Sequence, residues 1–142
     1  MSAPSKRPEA AALAGGALVM LGAWLPWLTL FAGLQRYGGL IGAHGRVLFA
    51  GGMLAATAGV GMLATRNCWI RRATVFLGCV LLGFDGWLLA GLAEALHHGV
   101  GVMLVPRAGP GLFVATLGIA LVILGPALGL VRDGSGRPAR AG

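Results

Sequence analysis

Four long apolar runs, separated by connectors and flanked by tails that together hold nearly all of the charge, constrain this chain more than any other feature. Residues 10–31 and 47–65 contain no charged side chain, and about 20 apolar residues suffice for a helix to cross the hydrocarbon of a bilayer. A third run, 73–95, is interrupted by Asp85 and closed by Glu94, and a fourth covers 112–131. The pattern predicts an all-α fold, an integral membrane four-helix bundle forming one domain, with polar tails at 1–9 and 132–142.

Composition agrees with that reading. Hydrophobic residues make up 57% of the chain and charged ones 11%, against about a quarter charged in a soluble domain. The net charge of +7 does not point to nucleic acid, because the basic residues form no face interleaved with aromatics. They lie in connectors, where they set orientation and meet anionic headgroups. Lys6, Arg7, Arg66, Arg71, Arg72, Arg132, Arg137 and Arg140 fall on one side, and Arg36, Arg46 and Arg107 on the other. The bias predicts both termini in the cytoplasm and the chain in a bacterial plasma membrane; the preference for Arg over Lys and the abundance of Gly and Ala point to a high-GC source. Lys6 and Arg7 precede an apolar run without an A-x-A-like cleavage site, so the first run reads as an uncleaved signal anchor. Cys68 and Cys79 fall in a connector and an apolar run, and no bridge between them is expected.

The first outer connector follows a marked helix end, with Trp24 and Trp27 at the headgroup level and Pro26 kinking the helix or starting its exit. It carries Gln35, Arg36, Tyr37, His44 and Arg46 among five glycines. The second outer connector carries His97, His98 and Arg107. Small residues recur at helical spacing: Gly51, Ala55 and Gly59 in the second run, Gly125 and Gly129 around Pro126 in the fourth. Such seams permit close helix contact and are read as pointing to a homo-oligomer or another membrane protein. A faint echo at an offset of about sixty residues pairs Trp27 with Trp87 and Gly51 with Gly111, raising a two-plus-two repeat.

Asp85 is the sharpest chemical signal. At about 1.5 Å per residue it lies about 18 Å into a slab about 30 Å thick, where a carboxylate is costly and needs a partner or a proton. The same counting places Trp24, Thr57 and Thr116 near that depth as its partners. A neutral carboxyl that locks helices is the simpler role, and a proton relay the functional one. His44, His97 and His98 share the outer level and, with Glu94, contain one E-x-x-H spacing, a set for metal or haem, with loop histidines at an interface as the simpler role. Arg36, Tyr37, His44, Arg46 and Arg107 form a cationic and polar outer surface suited to a lipid phosphate or a partner's carboxylate. No phosphate-loop pattern or nucleophile beside a base is present, so no catalytic residue and no cofactor is expected.

The segment GAWLPWLTLFAGLQRYGGLIGAHGR, with LFAGG shortly after, resembles small uncharacterised actinobacterial integral membrane proteins, a likeness that implies no activity. Helix number and order are also similar to the claudin plan, but the outer segment is read as too short for an extracellular sheet and lacks paired cysteines, so no claudin function is carried over. The expected function is a non-enzymatic accessory or assembly subunit that binds a protein partner or lipid through its short outer loops. The alternative is a small transporter or redox component using Asp85 or the outer histidines; an intramembrane enzyme would need a lipid-shaped cavity beside Asp85 and Glu94.

Overall fold

A computed structural model describes residues 7–30, 35–38, 40, 42–65, 67–97 and 107–135. In chain order its elements are α1 (Arg7–Trp24), β1 (Pro26–Leu30), β2 (Gln35–Gly38), α2 (Ala43–Thr65), α3 (Cys68–His97), β3 (Arg107–Ala108) and α4 (Pro110–Ser135). Helices α2, α3 and α4 are long and apolar enough to cross a membrane, and α1 is a shorter apolar helix. Large apolar side chains such as Met53, Leu54, Phe76, Val80 and Leu124 face outward. A contiguous apolar exterior of this kind belongs against lipid or protein rather than water.

The first helix stops at Trp24, seven residues before the apolar run ends at Phe31. Its last helical bond runs from Leu25 N–H to Leu21 O at 3.0 Å. Pro26 then has no N–H with which to reach the Gly22 carbonyl, and it disfavours helical geometry in the residue before it. The indole of Trp27 takes over that acceptor, donating from Nε1 to Gly22 O at 3.0 Å. The chain therefore leaves the helix directly into β1, with the orphaned carbonyl satisfied.

Helix α1 is the hub, because glycines on two of its faces let neighbours approach to backbone contact. A Cβ added at Gly15 would lie 2.6 Å from the Gly118 carbonyl oxygen of α4, and one at Gly16 would lie 2.6 Å from the Ala56 nitrogen of α2. Gly52 and Gly59 of α2 pack against Gly16 and Leu13 of α1, while Gly51 receives Leu81 of α3. The small-residue stripe of the second run thus packs inside this chain. Around α1 the core joins Val19 and Ala23 to Leu48, Leu81, Ala115 and Ile119.

Contrary to the expectation that the first connector is too short for a sheet, three strands pair at one end of the bundle in the order β2-β1-β3. β1 and β2 pair with each other within the end of the first apolar run and the connector after it, and the second connector adds the two-residue β3 at the other edge of β1. Both pairings are antiparallel. β1 matches Leu28, Thr29 and Leu30 to Tyr37, Arg36 and Gln35 of β2, and Leu28 and Thr29 to Ala108 and Arg107 of β3. Gly109 N–H extends the second ladder to Trp27 O at 2.7 Å. Of the pairs in the sixty-residue echo, Trp27 lies in β1 and Trp87 inside α3, whereas Gly51 and Gly111 both lie in helices, α2 and α4.

At the opposite end, Glu9 belongs to the first turns of α1 rather than to a polar tail. It is buried and accepts a hydrogen bond from Arg71 Nη2 of α3 at 3.0 Å. Gly129 of α4 leaves space for the guanidinium, whose Cζ would stand 3.2 Å from a Cβ there.

Candidate functional site

Besides the Glu9–Arg71 pair, the described residues hold two further polar constellations, one buried between helices and one at the sheet end. In the first, Asp85 of α3 is fully buried. Thr116 Oγ1 of α4 is 2.5 Å from its Oδ2 and 2.9 Å from the Leu112 carbonyl one turn back. The hydroxyl has one proton for two acceptors. When that proton serves the carbonyl, the short contact to Asp85 requires the carboxyl to be the donor. Asp85 Oδ1 has no hydrogen-bond partner among the described residues.

Depth counting offered three partners for Asp85, and only Thr116 reaches it. Thr57 is exposed and donates to Leu54 O of its own helix at 2.9 Å. It sits two residues from the buried Ala55, on the outward side of α2, because helical neighbours two apart face different ways. Trp24 is also exposed, at the last turn of α1.

The sheet end gathers most of the proposed outer-surface residues. Thr29 at the centre of β1 is paired with Arg36 on one side and with Arg107 on the other. Residues directly opposite one another across a sheet share a face. The two arginines, from connectors distant in sequence, therefore occupy one row, with Cα atoms about 10 Å apart at a strand spacing of about 5 Å. Tyr37 belongs to the alternate row, opposite Leu28. Arg46 is exposed in the first turns of α2.

Next to this sheet is an apolar cavity of about 490 Å³, lined by Trp27 of β1, Trp87, Leu88, Gly91, Leu92 and Glu94 of α3, and Leu112 of α4. Trp27 is fixed there by its indole bond to Gly22. On the α2 side of Trp87, His44 lies against it with ring centroids 5.6 Å apart and against Phe84 at 6.1 Å. Leu88 and Leu112 lie one turn above Asp85 and Thr116 on the same helices, so the buried pair sits beneath the cavity floor.

His44 is at the start of α2 and His97 at the end of α3, so both belong to the sheet end. The His97 side chain and all of His98 lie outside the described residues, and among those described no three His, Cys, Asp or Glu side chains converge.

No family model matches the chain, and no curated protein or solved structure matches it either. The likenesses carried by the Trp- and Pro-marked segment rest on those residues alone.

Sequence reasoning missed Thr29, the cavity wall of Trp27, Trp87 and Gly91, and the Glu9–Arg71 pair. For the last a signal was available. Glu9 is one of four acidic residues in the chain, and an acid at the head of an apolar helix invites a search for its cation.

Proposed function

We propose that this chain is a multi-pass plasma-membrane protein with both termini in the cytoplasm, acting as a non-enzymatic accessory or assembly subunit. Its working surface is the outer, sheet-bearing end, which binds a protein partner or lipid. The observation that carries this reading is the strand register, which draws two separate connectors into one platform with Arg36 and Arg107 flanking Thr29. The described connectors hold too little chain for a catalytic domain, yet a structured platform is what recognition at a membrane surface requires. The excess of Lys and Arg on the opposite side supports the orientation.

The test is gentle purification of the parent and of an R36Q/Y37A/R46Q/R107Q variant, followed by native mass spectrometry. The parent should retain a partner or lipid that the variant loses. If both carry the same set of bound molecules, the reading fails.

Asp85 supports a second reading, a small transporter in which that carboxyl relays protons, because its Oδ1 is buried without a partner among the described residues. Proton flux into vesicles that survives Asp85→Asn unchanged would remove it.

A further inference from the structure

We infer that the sheet end holds one phosphate-bearing lipid of the outer leaflet, its phosphate on the row Arg36–Thr29–Arg107 and one hydrocarbon chain in the cavity beside Trp27. This rests on the proposed accessory role and names the ligand of that same surface.

Three observations converge on this occupant. First, charge: the strand register places Arg36 and Arg107 on either side of Thr29 in one sheet row, and a pair of arginines suits a phosphate. Second, shape: the cavity is apolar over Trp27, Trp87, Leu88, Gly91 and Leu112. Its volume falls in the range of sites that hold a small ligand, about 300–1,000 Å³. Apolar walls give water no hydrogen bonds, so hydrocarbon is its natural content. Third, continuity: β1 runs from Trp27 in the cavity wall to Thr29 in the row, about 7 Å at about 3.3 Å per residue. That is the order of separation between the phosphate and the chains of a glycerolipid.

The cavity also shows how to test its content. Gly91 lines it, and a Cβ added there would meet nothing within 4 Å. A leucine at this position fills the space without touching the fold, and leucine is the better helix former. Gly86, also on α3 and equally free of neighbours, lies outside the cavity lining and serves as the control.

The experiment is native mass spectrometry of the full chain titrated with phosphatidylglycerol in mild detergent. It is run on the parent, R36Q/R107Q, Gly91→Leu and Gly86→Leu, and repeated with millimolar sodium phosphate. The expected result is one lipid bound per chain in the parent and in Gly86→Leu, with occupancy at least tenfold lower in the other two and no competition from phosphate. Retention of lipid by all four proteins, or by none, overturns the inference. So does displacement by inorganic phosphate with Gly91→Leu behaving as the parent, which would mark a free-anion site. If R36Q/R107Q instead sheds a co-purified protein while lipid occupancy is unchanged, the lipid inference fails and the accessory role stands. If that variant changes neither protein nor lipid, both fall.

Discussion

Glu9 and Arg71, 62 positions apart in the chain, meet at 3.0 Å inside the bundle, where both are buried. The contact ties the first turns of α1 to the first turns of α3, and Gly129 brings α4 against the same guanidinium. Removing one member of a buried pair leaves the other as an uncompensated charge, which costs about 3–5 kcal/mol. Glu9→Leu or Arg71→Met alone should therefore lower the thermal midpoint in detergent sharply. The double variant should recover much of the loss, because an apolar pair of similar volume is often neutral in such a place. A double variant as unstable as the worse single one would show that the remaining contacts of Arg71 matter more than the pair.

Asp85 and Thr116 make a different kind of contact, between α3 and α4 alone. Polar interhelical bonds inside membranes contribute about 0.6 kcal/mol on average and up to about 1.7. A cycle of Asp85→Leu, Thr116→Val and the double variant should return a coupling in that range, read from unfolding in detergent. Asp85→Asn keeps a hydrogen-bonding group of the same size beside Thr116, so it should insert and accumulate as the parent does. Failure of that variant to accumulate would mean that the bundle requires the charged carboxylate.

This pair and the sheet mark the limits of what the sequence discloses. The helical runs are legible because about 20 uncharged residues in a row leave few other solutions. Thr116 is legible as a partner because depth follows from counting along a helix of known rise. The facing direction is not equally legible on helices apolar all round, and that is why Thr57, at a matching depth, points elsewhere. Strand β1 hides for a related reason: the five residues PWLTL continue an apolar run, and periodicity alone does not separate a short strand from the end of a buried helix. Its pairing with Arg107 depends on a connector about eighty residues further on. Only Pro26 signals the break, through the backbone donor it lacks.

Gly15 and Gly16 of α1 should divide cleanly from Gly83 of α3. An alanine at Gly15 or Gly16 would drive its methyl group to 2.6 Å from backbone atoms of α4 or α2, and backbone cannot move aside as a side-chain tip can. Overpacking of this sort costs about 1–3 kcal/mol. Alanine at Gly83 meets nothing within 4 Å and should stabilise the helix by up to about 1 kcal/mol. Thermal unfolding of the three single variants checks the contrast. Equal tolerance at all three sites would mean that α1 does not pack as the hub.

Orientation is testable with the two cysteines, both of which are exposed. Cys68 stands at the first residue of α3, beside the exposed Trp69 and at the end opposite the sheet, whereas Cys79 lies well inside the apolar length of that helix. The reactive species of a cysteine is its thiolate, which forms in water and not in hydrocarbon. In intact cells a membrane-impermeant maleimide should therefore label neither residue if the termini are cytoplasmic. In inverted vesicles it should label Cys68 alone, and Cys68→Ser should abolish the signal while Cys79→Ser leaves it unchanged. Labelling of Cys68 in intact cells would reverse the topology and place the arginine row of the sheet on the cytoplasmic face, where the outer-leaflet lipid proposed for it could not be reached.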